Sequence, residues 1–184
     1  MLNFSIILKK KYIIPKLKSK NQNNYLMKKF LAAVLFVTLS SFSLISSTEW
    51  TTYTWEQYKL AVTVPDYLRI KKNADGEFSL KGRGMELTIF VTKEKLTRDE
   101  MHDFVIKTAN DYKMEEIDAE HEIEGDGLEG YYVEGFLDGK REIIAGMIQQ
   151  KGRTNFAMYI TFDDKDKQAE EDANEILAKI TSTR

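Results

Sequence analysis

An uncharged apolar stretch near the N-terminus limits which part of this chain can fold into a domain. Residues 27–47 begin with a methionine and two lysines, continue with an apolar run and end in several serines, the order typical of a secretory signal peptide. The apolar run from Phe30 to Ile45 is shorter than the about 20 residues that a membrane-spanning helix needs. The sequence therefore predicts an exported protein; a retained N-terminal anchor is the alternative.

The segment ahead of this stretch, residues 1–26, is rich in lysine and asparagine. We interpret it as upstream sequence translated ahead of a true start at Met27, with a long basic leader as the alternative. Neither segment is expected to belong to the folded domain, because targeting segments are separate from it. Residues 48–184 are therefore expected to form a single domain, long enough to bury an ordinary hydrophobic core.

The charge balance changes once the leader is set aside. The chain has 27 Lys and Arg and 29 Asp and Glu, and eight lysines but no acidic residue lie in residues 1–47. The remainder therefore has 19 basic and 29 acidic residues, a formal net charge of −10. This excess argues against nucleic-acid binding and against binding to an anionic membrane, since both need basic patches. It allows cations, basic proteins or neutral ligands as partners, and no membrane insertion is expected after signal cleavage.

Alternating apolar and polar residues, the period of a half-buried strand, recur along residues 48–184. The predicted strands are 58–64, 67–71, 77–81, 85–91, 115–124, 129–137, 141–150 and 155–162. In the strand over 141–150, Ile143 and Met147 face one side and Ile144 faces the other. Because both faces are apolar, this strand is expected at the centre of a sheet.

Two amphipathic helices are predicted. Thr97 and Glu100 have the spacing of a capping box, followed by apolar residues at helical spacing over 98–112. Asp163 or Asp164 is expected to cap the second helix, whose apolar stripe is Ala169, Ala173, Ile176, Leu177 and Ile180. The fold class that follows is α+β, a twisted antiparallel sheet of about seven strands covered by the two helices.

This order of elements, carried by residues 58–66, 85–92 and 131–180, resembles the PsbP-like superfamily. That superfamily includes an extrinsic subunit of the photosynthetic oxygen-evolving complex, a Ran-binding nuclear import factor and many secreted bacterial domains of unknown function. The resemblance implies a binding or assembly module rather than an enzyme. It carries no functional residue over to this chain, because the superfamily has no shared active-site motif.

The first candidate site is a row of acidic residues at every second position, which a strand would place on one face. The row is Glu116, Asp118, Glu120, Glu122 and Glu124. It is interpreted as a docking face for a basic partner or a weak Ca²⁺ site with carboxylate ligands. The alternative is an exposed strand whose charges prevent edge-to-edge aggregation.

The second candidate site is the aromatic group Trp50, Tyr53, Trp55 and Tyr58. If exposed, these rings could stack on a sugar or anchor a protein partner. The alternative is a first strand that packs onto the sheet. Two predicted turns carry basic residues, which are interpreted as solvated or as opposite charges that offset the acidic row. These residues are Lys140, Arg141, Lys151 and Arg153.

Few residues are suited to catalysis. The chain has no cysteine and two histidines, and no Ser or His motif of a nucleophilic hydrolase or zinc site is present. His121 is expected to pack on the opposite face from the acidic row, and His102 to be partly exposed beside the first helix. A hydrolase would need one of them within hydrogen-bond reach of a carboxylate in a cleft.

The function predicted from the sequence is an exported, non-catalytic binding or assembly module of the bacterial envelope that contacts a protein partner. A small-ligand or Ca²⁺-binding domain is the alternative, and an Asp/Glu-based hydrolase comes third. No cofactor or metal is assigned, and the oligomeric state is left open.

Overall fold

The computed structural model describes residues 48–183, which contain ten strands and two helices. The predictions of a signal peptide and of an upstream extension lie outside the described residues. The elements are β1 (Trp50–Trp55), β2 (Leu60–Pro65), β3 (Arg69–Ala74), β4 (Glu77–Gly82), β5 (Met85–Val91), α1 (Arg98–Asp111), β6 (His121–Gly125), β7 (Leu128–Leu137), β8 (Lys140–Gln149), β9 (Asn155–Phe162), α2 (Lys167–Lys179) and β10 (Thr181–Ser182).

The strands form two antiparallel sheets. The larger sheet has seven strands in the order β3-β4-β5-β9-β8-β7-β6, and the smaller has three in the order β1-β2-β10. The predicted α+β class, with about seven antiparallel strands and two covering helices, is confirmed.

The strand predicted over 58–64 begins later than expected and belongs to the smaller sheet. Tyr58 and Lys59 lie in the turn before β2, where Lys59 has φ 56. β2 pairs with β1 along its whole length, from Leu60 opposite Trp55 to Pro65 opposite Trp50. Because β1 and β10 flank it, β2 is the centre of a separate small sheet rather than an outer strand of the large one.

The two helices cover opposite faces of the large sheet. Strand β8 lies near its centre, and Ile143 and Met147 belong to the core that also contains the small sheet and α2. Ile144 projects the other way and belongs to the cluster beneath α1. The prediction that β8 is a central strand with two apolar faces is confirmed.

Helix α1 begins at the predicted capping box. The Thr97 side chain accepts from the Glu100 backbone N–H, and the Glu100 carboxylate accepts from the Thr97 backbone N–H at 2.8 Å. The helix approaches β8 closely at Gly146, where a Cβ atom would lie 2.4 Å from the Sδ atom of Met101. A glycine at this point allows the helix to reach the sheet.

Helix α2 has the predicted apolar stripe but a different cap. The side chain of Asp166, not Asp163 or Asp164, accepts from the Ala169 backbone N–H at 3.2 Å. Asp163 instead stabilises the turn before the helix by accepting from the Lys165 N–H at 2.9 Å. Within the described residues, neither helix has the length and hydropathy required to cross a membrane.

Candidate binding surface at the edge of strand β6

The predicted acidic row is not one continuous strand. Only His121–Gly125 forms β6, whereas Glu115 makes an isolated bridge to Phe136 and Glu116 has φ 48. A positive φ at Glu116 breaks the alternation of an extended chain. The prediction of a strand over 115–124 is therefore wrong for its first half. Glu122 and Glu124 are the members of the row that project from β6 on one face.

Arg98, in the first turn of α1, forms ion pairs with both of these carboxylates. Its Nη2 atom lies 3.0 Å from Glu122 Oε2 and 3.0 Å from Glu124 Oε1. Its Nε atom donates to the Tyr131 hydroxyl at 3.0 Å, and the guanidinium lies 5.5 Å from the centre of that ring. These bonds, first that to Tyr131 and then that to Glu124, raise the pKa of Arg98.

Glu120 is held by His102 of α1. The His102 Nε2 and Glu120 Oε2 atoms are 2.5 Å apart, and His102 Nδ1 lies 3.2 Å from the Asp103 carboxylate. The bonds to Asp103 and to Glu120 raise the pKa of His102. The distance between His102 and Glu120 meets the requirement for a hydrolase. Grooves lie beside β6, at the start of α1 and at the β7–β8 turn, and His102 lines none of these three.

Asp118 is held by Arg141, one of the basic residues predicted to counter the row. Arg141 Nη1 lies 3.4 Å from Asp118 and 3.4 Å from Glu134, and its Nε atom donates to Asp164 at 3.0 Å. Burial raises the pKa of Glu134, and the charge of Arg141 opposes that rise. Arg141 thus ties three acidic residues from different segments together.

The predicted aromatic contact residues lie on β1 of the small sheet. Trp55 is 2% exposed and packs against Phe78 and Phe156, so it is corrected from a contact residue to a core residue. Trp50 and Tyr53 are partly buried against the same core. The alternative, a first strand packed onto the domain, describes this segment.

A groove that the sequence did not predict runs between β6 and α2. It has a volume of about 240 Å³. The buried side chains of Ile123, Leu177 and Ile180 form its apolar lining, together with exposed Ala178. Glu122 and Glu124 also border it. The groove depends on the position of α2 beside the sheet edge, which no local sequence pattern indicates.

The outer side of β6 is unpaired within residues 48–183, since β6 ends the sheet order. Glu115 and Phe136 exchange both backbone hydrogen bonds, and the Asp118 N–H donates to the Glu134 carbonyl. The backbone N–H and C=O groups of the even-numbered residues of β7 therefore point toward β6. They form hydrogen bonds with the backbone groups of their partners His121, Ile123 and Gly125. Because backbone groups alternate in direction along a strand, those of Glu122 and Glu124 point outward from the sheet.

His121 differs from its prediction. It is exposed rather than packed, and its ring stacks on Tyr132 with a centroid distance of 4.9 Å. It does share a face with Ile123, as expected. Among the described residues, no three His, Asp or Glu side chains converge as a metal-ligand set.

Comparison with known proteins gave structural likenesses alone. No family model matches the chain, and no curated protein matches it. The chain is similar to the Ran-binding protein Mog1p of Saccharomyces cerevisiae, with a TM-score of 0.48 and 8% identity over 74% of this chain and 97% of that one. A point variant of Mog1 gives a TM-score of 0.48 and 8% identity over 73% of this chain and 96% of that one.

A protein of Bacteroides thetaiotaomicron is also similar, with a TM-score of 0.46 and 12% identity over 74% of this chain and 49% of that one. The resemblance of the sequence to the PsbP-like superfamily stays a prediction. Membership of the chain in its secreted bacterial branch stays a prediction.

Proposed function

We propose that this protein is an exported, non-catalytic binding module of the bacterial envelope that contacts a basic partner protein at the β6 edge. The observation that carries the proposal is the combination of charge and groove at one place. Glu122 and Glu124 have side chains 60% and 65% exposed, stand on a strand whose outer side is unpaired within residues 48–183, and border a groove that is partly lined by apolar side chains.

The carboxylates keep capacity for a partner although Arg98 contacts them. Arg98 uses one oxygen of each, Oε2 of Glu122 and Oε1 of Glu124. An ionised carboxylate accepts through both oxygens, so the second oxygen of each faces solvent or a partner cation. The net charge of −10 over residues 48–184 favours the approach of basic proteins over long distances.

The groove supplies binding affinity that the charges alone do not. Exposed ion pairs contribute little free energy, typically about 0–1 kcal/mol each, and they set orientation and association rate more than affinity. Burial of a partner's apolar side chain in this groove, beside Ile123 and Leu177, would add affinity by removing apolar surface from water. Charge therefore selects the partner and the groove retains it.

Site-specific photo-crosslinking in cells tests the proposal. A crosslinking amino acid replaces Glu124 in one strain and Glu56, exposed in the turn after β1, in another. We expect a defined basic envelope protein to crosslink at 124, not at 56, and to be lost when Glu122→Lys is added or when the salt concentration is raised. Equal crosslinking at both positions, or an acidic partner, would overturn it.

Export is tested separately, because binding does not depend on it. Cell fractionation followed by N-terminal sequencing should find the protein outside the cytoplasm and beginning near residue 48. A cytoplasmic protein that retains residues 27–47 would overturn the export part of the proposal while leaving the binding surface in place.

A further inference from the structure

We infer that the partner binds by adding an extended strand to β6, and that this strand alternates basic and apolar residues. The inference rests on the proposed function and specifies its binding mode. The basic side chains would meet Glu122 and Glu124 on the α1 face of the sheet. The apolar side chains would enter the groove beside α2 on the other face.

The backbone of β6 is suited to accept another strand. The outward N–H and C=O groups of Glu122 and Glu124 form two open donor–acceptor pairs, and an extended peptide satisfies such groups in the manner of an added sheet strand. The ladder between β6 and β7 is regular over all five pairs, from His121 opposite Tyr132 to Gly125 opposite Leu128. No bulge or proline within β6 closes this edge.

The opposite edge of the same sheet differs. In β3 the pairing register shifts between Ile70 and Lys72, a bulge of the kind that protects edge strands from pairing. Three of its exposed side chains are also basic, those of Arg69, Lys71 and Lys72. A basic strand would be repelled there. The two edges therefore differ in both shape and charge, and β6 is the edge that fits a basic strand.

The alternation of the partner follows from the two faces of β6. Side chains opposite one another across an antiparallel ladder share a face, with Cβ atoms about 4.5–5.5 Å apart. Residues opposite Glu122 and Glu124 lie on the face that carries Arg98 and Tyr131. The residue opposite Ile123 lies on the face of Leu177 and Ile180, where the groove is.

A seven-residue, acetylated and amidated peptide in which lysine alternates with leucine is the probe, and fluorescence anisotropy of its labelled form measures binding to the full protein. A peptide of the same composition, with lysines and leucines in two blocks, is the control for charge. We expect the alternating peptide to bind at least about tenfold more tightly, a difference of about 1.4 kcal/mol.

N-methylation separates strand addition from side-chain contact. Methylation of every lysine N–H removes the bonds of an antiparallel added strand, and methylation of every leucine N–H removes those of a parallel one. We expect one of the two methylated peptides to lose binding by at least about tenfold and the other to keep it. Equal effects of the two would overturn the inference.

Two protein variants locate the site. Glu122→Lys/Glu124→Lys should abolish binding, whereas Glu49→Lys/Glu56→Lys, with the same change in net charge at exposed positions on either side of β1, should retain it. Ala178 is exposed and borders the groove. Ala178→Phe should therefore weaken the binding of the alternating peptide while the unfolding midpoint of the protein stays unchanged.

The outcomes distinguish this inference from the proposed function. If the block peptide binds as tightly as the alternating one, and binding is lost in Glu122→Lys/Glu124→Lys, the acidic surface binds basic partners without strand addition. In that case the inference is wrong and the proposed function stands. If Glu122→Lys/Glu124→Lys leaves the binding of both peptides unchanged, the inference and the proposed function are both wrong.

Discussion

Arg98 of α1 and Glu124 of β6, separated by 26 residues in sequence, form a 3.0 Å ion pair that ties the start of the helix to the edge of the sheet. A cation in the first turn of a helix is disfavoured by the helix dipole. The position of Arg98 is compensated by Glu122 and Glu124, which face it from β6. Glu122 and Glu124 together keep a net negative charge although both are paired with Arg98.

Replacing Arg98 should destabilise the protein modestly and in a salt-dependent way. Arg98→Gln removes both pairs and leaves two carboxylates close together on one strand face. Since the pairs are substantially exposed, we expect only a small loss in the free energy of unfolding at low ionic strength. Urea unfolding measures it, and the loss should shrink at about 1 M salt, where screening acts within about 3 Å.

Lys107→Gln is the matched control, because Lys107 makes an exposed pair with Asp111 within the same helix. This change should cost less than about 0.5 kcal/mol. If the two variants lose the same stability and respond equally to salt, Arg98 has no special role in joining α1 to β6.

His102 should make the stability of the protein depend on pH. Its contacts with Asp103 and Glu120 raise its pKa in the folded state above the ordinary value of about 6.5. A group with a raised folded pKa contributes stability that is complete below the unfolded pKa and is lost as pH rises through the folded pKa. We therefore expect the stability difference between the wild type and His102→Gln to be largest in mild acid and to fall with rising pH.

NMR titration of the His102 ring checks the cause. Asp103→Asn and Glu120→Gln should each lower the titration midpoint of His102, because each removes a hydrogen-bonded carboxylate. Unchanged midpoints in both variants would show that these contacts do not perturb the ring in solution.

The strand and helix pattern could be predicted where local chemistry decides the structure. The apolar residues Ile143 and Ile144 on successive positions of β8 indicated a strand covered on both faces, and Thr97 with Glu100 fixed the start of α1. Each of these two signals is carried by residues that are at most three positions apart in the sequence. Neither requires knowledge of what packs from elsewhere in the chain.

The candidate surface could be predicted only in part, because it depends on distant segments. Alternation suggested that Glu116 and Glu124 share a strand, but a positive φ at Glu116 ends the regularity. The sequence allowed Trp55 to be exposed, but packing against Phe78 and Phe156, which lie far along the chain, buries it instead. The groove exists because Leu177 of α2 lies beside Ile123 of β6, a contact without a local signal.

Two glycines should be intolerant of alanine to different degrees. A Cβ atom at Gly130 would lie 1.9 Å from the carbonyl oxygen of Gly146, whereas one at Gly146 would lie 2.4 Å from Met101 Sδ. A flexible thioether can move and a sheet carbonyl cannot. We expect Gly146→Ala to cost about 1–3 kcal/mol, and Gly130→Ala to cost more, measured by thermal or urea unfolding.

The Met101 contact can be verified by a double-mutant cycle. Met101→Ala alone removes buried volume and should cost about 2–5 kcal/mol. Combined with Gly146→Ala, the total should be smaller than the sum, because the smaller side chain leaves room for the new methyl group. Strictly additive costs would contradict a direct clash between these positions.

A buried carboxylate links the segment after β2 to helix α2 and yields the last prediction. Asp172 is 1% exposed, and its Oδ2 atom accepts from the Tyr67 hydroxyl at 2.7 Å while its Oδ1 atom accepts from Gln168 at 3.0 Å. Burial, and then the bond to Asp172, raise the pKa of Tyr67. Tyr67→Phe would leave the buried carboxylate without one of its donors, which typically costs about 1–3 kcal/mol.

Urea unfolding near neutral pH measures this cost, with Tyr53→Phe as the control. The Tyr53 hydroxyl donates to the neutral carbonyl of Leu68 at 3.2 Å, so its removal should cost about 1 kcal/mol or less. Because a charged acceptor loses more than a neutral one when its donor is removed, Tyr67→Phe should be the less stable variant. Equal stability of the two would mean that solvent reaches Asp172 and replaces the missing bond.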